Sequence, residues 1–518
     1  MSPREPDVIL VGAGHNGLAC SILLARGGLD VLVLEEKATV GGAVKTEYPF
    51  QKAPNLGISS GAYLLGLMPP ELMRELGLEL PLLRRDPYYF LPTTGSRYLL
   101  FGSDEAAMRR QFTDFFSEAD LRAHLALNEE LGKLRDDLAP AWLAEPVSTE
   151  ETAERYIRPE LRKVFVELVR GTADDYLERF GFKSDLLRAM YAVTDAYSGL
   201  DGGPGTPGTG HNFLAHNMCR LPNSGGTWMI VQGGMGTITR QLADLARRAG
   251  VRIETGAPVA RIVTQGTTVE GVELGDGRIV KAKVVVANAD PFRTVELVGR
   301  ERLPADYVTR VDGMRADGTT MKVNLCLSEL PRFACLPENR GQFGPTIHLL
   351  PDEDVVLGDL AKAWKTVKAG GLADFPTIEW YIHSSVDPTL RDERGYHNSA
   401  LFVQWVPWQP KGSSWDAEEA RYVRHLLSIC DRFAPGTSDR VVETFTLTPP
   451  KIESHFGITR GHIHHVDNKL AFADRAPYAL PIGGLYACSA GCHPAGSVIG
   501  AAGHNAAKRI LADLGKAA

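Results

Sequence analysis

The stretch from Asp7 to Gly42, DVILVGAGHNGLACSILLARGGLDVLVLEEKATVGG, constrains the chain more than any other. Val8-Ile9-Leu10-Val11 is a short, continuously apolar run suited to a central parallel strand, and it feeds directly into Gly12-Ala13-Gly14-His15-Asn16-Gly17. Gly12 permits a tight turn, Gly14 lets backbone approach a pyrophosphate, and Gly17 lets the following helix, from about Asn16 to Arg26, pack closely on the strand. Asp30 to Leu34 reads as a second apolar strand ending at Glu35, the spacing at which a carboxylate accepts hydrogen bonds from a ribose 2'-hydroxyl. A bare glycine turn would predict only a strand-to-helix corner; the whole order predicts a dinucleotide-binding βαβ unit. Glu35 repels a 2'-phosphate, which leaves NAD and FAD.

Val40-Gly41-Gly42-Ala43 separates those two. In FAD proteins of the glutathione reductase and amine oxidase type, a paired-glycine element just past the ribose carboxylate lets backbone lie against the flavin-side phosphate and ribityl chain. The run Glu35-Glu36-Lys37 followed by Gly41-Gly42 resembles that pattern. No cysteine pair lies near Gly42, where disulfide reductases carry their redox couple. A second nicotinamide fingerprint is also missing, because Gly233-Gly234-Met235-Gly236 lacks the final glycine.

Further along, Val251 to Ala289 reads as a strand-rich insertion with a Gly-Asp-Gly turn and a last buried strand ending at Ala287. The stretch Gly484 to Ile510 runs from a strand through a small-residue loop, containing Gly491 and ending near Ser497-Val498, into a helix. Backbone N–H groups at such a helix start place positive dipole where a reduced flavin accumulates charge. One cofactor domain therefore closes from three segments, 1–65, 225–300 and 455–518. The substrate domain is built from 66–224 and 301–454.

The remaining composition bounds the function. A chain of 518 residues exceeds one growing core. With 44% hydrophobic and 23% charged residues it reads as an ordinary globular protein, and a net charge of -7 gives no footprint for nucleic acid. Seven cysteines without a CxxC pair predict a reducing compartment and no zinc site. Too few residues precede Asp7 for a signal peptide, and no run of about 18 apolar residues is present to span a bilayer. A cytoplasmic location is the natural reading, with peripheral contact to a membrane left open.

Three long blocks together resemble the phytoene desaturase-like FAD oxidoreductases, and within them the branch called pyridine nucleotide-disulphide oxidoreductase domain-containing protein 2. They are VGAGHNGLACSILLARGGLDVLVLEEKATVGGAVKTE; GTWMIVQGGMGTITRQLADLARRAGVRIETGAPVARI with VVVANADPFRT; and GLYACSAGCHPAGSVIGAAGHNAA. The resemblance implies bound FAD, with backbone near Val259 presented to the adenine. It also implies an α/β fold: a Rossmann-type FAD-binding domain, amine oxidase- and glutathione reductase-like, with an inserted α+β substrate domain. Departures from the branch are Ala215-His216 in place of a His-His pair and SAGCHPAGS in place of a more glycine-rich loop; both weaken inference about the substrate.

Residues for chemistry are fewer, because flavin oxidation asks mainly that a C–H bond be held over the flavin. Lys322, in the strand pattern MKVNLCL, resembles the lysine of flavin amine oxidases that reaches a water beside flavin N5; the alternative is an edge-strand lysine in solvent. His216, a second catalytic candidate, and His493 are each read either as touching substrate or flavin or as hydrogen-bonded structural residues. Trp228, Trp380, Tyr381, Trp405 and Trp408 are read either as tunnel wall or as core. His462 to His465 read HIHH without carboxylate or cysteine support for a metal. The region from about Gly66 to Ser198 reads as mostly helical, Gly199 to Asn212 as a loop, and Gly61 to Pro92 as a lid, a dimer surface or a membrane-dipping segment. The leading class is an oxidoreductase taking hydride from a hydrophobic small molecule, with electrons passed to O2 or a quinone. A redox-neutral isomerase of a polyene and a non-catalytic FAD-binding protein are the alternatives.

Overall fold

The computed structural model describes residues 5–516. Its first sheet is parallel throughout, in the order Leu485–Ala487, Val284–Ala287, Val8–Val11, Val31–Glu35, Arg252–Thr255. Val8 stands between Val284 on one neighbour and Val31 on the other. Every residue of the three middle strands is buried, which is why they read as unbroken apolar runs. The helix His15–Arg26 packs between Gly236–Arg248 and Ala501–Asp513. Gly503 makes the second crossing close: a Cβ there would lie 2.1 Å from the Asn16 carbonyl oxygen. An antiparallel sheet, Val259–Gln265, Thr268–Leu274 and Ile279–Lys281, packs against Val284–Ala287.

The second sheet has seven strands, in the order Val441–Leu447, Thr320–Leu327, His397–Gln404, Thr377–Tyr381, Thr346–Leu349, Tyr89–Pro92, Tyr98–Phe101. Side chains alternate between its two faces. Met321, Val323, Leu325, Ile347, Ile378, Trp380, Leu401 and Val403 belong to an apolar core shared with the helix Trp415–Phe433. The intervening residues, Thr320, Lys322, Asn324, Thr346, His348, Thr377, Glu379, Tyr381 and Gln404, make much of the opposite face polar around Ala400 and Phe402, yet all are buried. A buried polar sheet face of that kind needs something polar to face.

Helices from Glu105–Phe115 to Thr209–His216 cover this polar face with a core of their own. Two expectations change here. The segment read as mostly helical also contains Tyr89–Pro92 and Tyr98–Phe101, because their partner is the distant strand Thr346–Leu349, paired through Tyr89↔Thr346. The loop after Gly199 stops before Thr209, where a helix begins with Gly208 in the left-handed conformation at its N-cap. Within Gly61 to Pro92 the apolar residues Leu64, Leu65, Leu67, Met68, Leu72 and Leu76 point inward. Among the described residues no helix is long and apolar enough to cross a membrane.

Candidate functional site

One cavity of about 870 Å³ runs from the C-terminal ends of the parallel strands to the polar face of the seven-stranded sheet. Its outer end is a glycine cradle. Gly12 and Gly41 are at φ +100° and +129°, conformations that disfavour any side chain. At Gly42, φ +56°, a Cβ would project into open cavity, its single near neighbour being Gly14 Cα at 3.7 Å. The helix His15–Arg26 begins here with no acidic side chain in its first turn, so its N-terminal dipole is free to meet an anion. His15 Nε2 is buried without a partner, and burial, with His465 beside it, pushes the ring down to about 4.

Glu35 closes the cradle. Its Oε2 accepts the Ala13 N–H at 2.7 Å and its Oε1 the Lys37 N–H at 3.0 Å, leaving a lone pair on each oxygen for further donors. Burial raises its pKa, opposed by those two N–H groups. Glu36, Lys37, Val259, Asn288 and Arg293 complete this end, and Ser497 and Val498 border the cavity further in. The segment behind them is fixed by Arg475, fully buried, which donates to the carbonyls of Cys492, Asp467, Leu470, Val466 and Ala490. A cofactor with a diphosphate, a ribose and a long planar ring fits: the cradle omits the side chains that would occupy the diphosphate position, and His15 supplies an unpartnered nitrogen.

The inner end carries ionisable groups. Lys322 Nζ lies 4.0 Å from the centre of the Tyr63 ring and 3.7 Å from that of Phe402. Burial pushes this lysine down to about 7, opposed by the charge of Glu379. Glu379 is pushed up to about 7, again by burial, against the Tyr381 hydroxyl that donates to its Oε2 and the charge of Lys322. Arg85 donates to the Trp228 carbonyl at 2.9 Å and to Thr346 Oγ1 at 2.8 Å, and burial lowers it to about 10. A widened, π-type turn at Ala192–Ala196 follows the helix Asp185–Tyr191, and Thr194 and Asp195 of this turn border the cavity. Asp195 is raised to about 7 by burial, and Asn217 Nδ2 donates to it at 3.0 Å. Apolar wall comes from Phe101, Leu131, Met190, Trp228, Phe402 and Ile463.

The structure therefore brings together Gly12, Gly14, His15, Asn16, Glu35, Glu36, Lys37, Gly41, Gly42, Ala43, Val259, Ser497, Val498, Lys322 and His216 around one space. Ala13, Gly17, Ala287 and Gly491 do not border it. Ala13 holds Glu35 and accepts the Gly41 N–H; Gly17 keeps the helix close, since a Cβ there would sit 2.5 Å from the Gly12 oxygen. Ala287 accepts the Cys488 N–H inside the sheet, and Gly491 packs on Pro291. Lys322 is no edge-strand lysine: its strand has neighbours on both sides and the side chain is 5% exposed.

His216 lies edge-on to Trp228, whose Nε1 donates to the His216 carbonyl, and burial pushes its ring down to about 4. His493 is spent on the Ala141 carbonyl outside the cavity. Trp380 and Trp405 are core; of the second-half aromatics singled out, Tyr381 alone reaches the cavity. Among the described residues no group of three or more His, Cys, Asp or Glu is placed to hold a metal ion. His464 and His465 instead line the cavity. Tyr63, Asp195, Asn288 and Glu379 went unnoticed in the sequence, where for Glu379 the signal was a carboxylate in the middle of the strand pattern TIEWY; the basic pair Arg84-Arg85 reads as solvated surface, yet Arg85 is buried at the cavity.

The family model described as flavin containing amine oxidoreductase matches residues 17–309. The pyridine nucleotide-disulfide oxidoreductase domain-containing protein 2 of Mus musculus is 33% identical over 98% of this chain and 94% of its own length. A hydroxyneurosporene desaturase of Cereibacter sphaeroides is 27% identical over 98% of each chain. Among solved structures, a putrescine oxidase bound to putrescine superposes with a TM-score of 0.62 at 16% identity, covering 99% of both chains. The resemblance and fold class read from the sequence motifs are borne out.

Proposed function

Since the chain belongs to the family of flavin containing amine oxidoreductases, and is an FAD-dependent oxidoreductase, we propose that it oxidises an amphiphilic small molecule held on the polar face of the seven-stranded sheet. The observation that carries this reading is the sharing of one cavity by the glycine cradle and the buried lysine Lys322. Gly12, Gly14, Gly41, Gly42 and the helix start would hold the FAD diphosphate, Glu35 the ribose, Val259 the adenine, and Ser497 and Val498 the ring. When bound, FAD supplies a two-electron acceptor for a substrate hydrogen.

The chain's own part is binding and proton handling. Phe101, Leu131, Met190 and Phe402 present apolar surface to the body of the substrate. Tyr63 and Phe402 close over Lys322 and keep bulk water from its Nζ. Lys322 gains and loses its proton near neutrality, which suits it to hand a proton to or from a water or substrate heteroatom during turnover. A pure hydrocarbon fits this chamber less well, because it leaves Glu379 Oε1 without a partner. Reducing equivalents then pass to O2 or a quinone.

The test is the visible spectrum of the purified protein, with bands at about 370 and 450 nm and FAD released on denaturation. Anaerobic mixing with amines, alcohols and polyenes, followed by O2 or a quinone, then reads bleaching and recovery. A colourless protein that refuses added FAD sinks the reading. Conversion of a polyene without consumption of any acceptor would replace oxidation with isomerisation.

A further inference from the structure

Directly opposed residues on neighbouring strands point to the same side of a sheet. The registers His348↔Glu379, Glu379↔Phe402 and Phe402↔Lys322 therefore set four side chains in one row across the cavity-facing surface, with the Phe402 ring between the carboxylate and the ammonium. Glu379 is 5% exposed, and its two oxygens are unequal. Oε2 accepts the Tyr381 hydroxyl and the Ser198 side chain also favours the ionised carboxylate, while Oε1 is buried with no hydrogen-bond partner and His348 Nε2, on a ring that burial keeps neutral, is 3.8 Å away. His348 is itself committed through Nδ1, 2.8 Å from the Tyr89 hydroxyl. Tyr381 thus fixes the carboxylate's orientation and leaves Oε1 as the unpaired acceptor of a residue that lines the cavity.

An unpaired buried acceptor is costly, and more so when charged. A donor brought by the ligand removes that cost; an apolar group in the same place fixes it permanently. Sites built this way discriminate strongly against analogues that lack the donor.

We propose that Glu379 is a specificity-determining residue that selects substrates bearing an N–H or O–H group, accepting a hydrogen bond from that group at Oε1. Lys322, across Phe402, balances the carboxylate's charge, and Tyr381 is its positioning residue. The inference rests on the FAD-dependent reading above, which supplies both the cavity's use and the spectroscopic signal.

The test uses the FAD-bound protein and three ligands matched in shape and lacking hydrogen on the carbon that bears the heteroatom: 2-phenylpropan-2-amine, 2-phenylpropan-2-ol and tert-butylbenzene. Binding is read from shifts in the visible flavin bands. The wild type is expected to bind the amine and the alcohol at least tenfold more tightly than the hydrocarbon. Glu379→Leu should abolish that preference with FAD content unchanged. Glu379→Gln, which keeps an uncharged acceptor of the same shape, should fold normally and lower the preference for the amine several-fold. Equal binding of the three ligands to wild type, binding of none, or a preference unaltered in Glu379→Gln overturns the proposal. A colourless wild type overturns the FAD-dependent reading and this inference together, whereas a yellow protein without the preference overturns the inference alone.

Discussion

Replacing Lys322 by Met should make the protein more stable and a poorer catalyst. The ammonium of Lys322 is charged in the unfolded chain up to about pH 10.5, but in the fold only up to about 7. That fall corresponds to about 5 kcal/mol against the charged form. Contacts with the Tyr63 and Phe402 rings, at 4.0 and 3.7 Å, return about 1–2 kcal/mol each. A net gain of about 1–3 kcal/mol is expected for Lys322→Met at pH 7, since methionine keeps the volume. With an unfolding entropy of about 2 cal/mol/K per residue, this is a rise in Tm of about 1–3 °C. The sign with pH follows from linkage. Below pH 7 both states are protonated and the full penalty is present; it shrinks as pH rises towards 10.5 and then vanishes.

Glu379 feels the charge of Lys322 only up to about pH 7, where the lysine loses its proton in the fold, so the loss of that charge in the mutant alters the difference chiefly around pH 7. The Lys322→Met/Glu379→Gln double mutant separates the two contributions. Arg85, Asp195 and His348 face the same chamber in both proteins and cancel to first order in the difference. Melting of both apoproteins from pH 6 to 10 is the assay. A Tm difference that stays flat across that range, or a mutant less stable at pH 7, refutes the argument. Flavin reoxidation and turnover rates unchanged in Lys322→Met would remove the lysine from catalysis.

Other outcomes are as specific. Gly42→Val forces a β-branched residue to φ +56° and fills the cradle; the protein should fold but purify with at least tenfold less flavin, read from the ratio of absorbance at about 450 nm to that at 280 nm. Glu35→Gln keeps one acceptor for the Ala13 or Lys37 N–H but not both, and should weaken FAD binding about tenfold by calorimetry. Arg475→Lys offers three donors where five carbonyls are held, and should cost about 3 kcal/mol or more of stability, visible as a lower Tm and proteolysis near Cys492.

The nucleotide half of the site was legible because its residues are contiguous: strand, glycines, helix and Glu35 lie within one local unit whose spacing is set by the turn itself. Gly41 and Gly42 could be placed for the same reason, being joined to that unit by a short loop. The substrate half was not. Lys322 and Glu379 become neighbours only through Phe402, on a strand that follows both in sequence, and no local period reveals which of three strands lies in the middle. Asp195 was hidden differently, since a π-type turn shifts the helical phase that would have assigned it a face. Tyr89–Pro92 looked helical by its surroundings because its parallel partner lies far along the chain.

The two-faced character of the seven-stranded sheet has an evolutionary consequence. The residues that hold the sheet to the helix Trp415–Phe433 and those that meet the cavity are adjacent in sequence but mechanically independent, as with Trp380 and its flanking Glu379 and Tyr381. Exchanges at alternate positions can therefore retune the chemistry of the chamber while the scaffold's foundation stays untouched. A single-residue insertion in any of these strands would do the reverse and swap wall for foundation. Drift by substitution, with strand lengths frozen, is the route by which such a chain can acquire new substrates without passing through an unfolded ancestor.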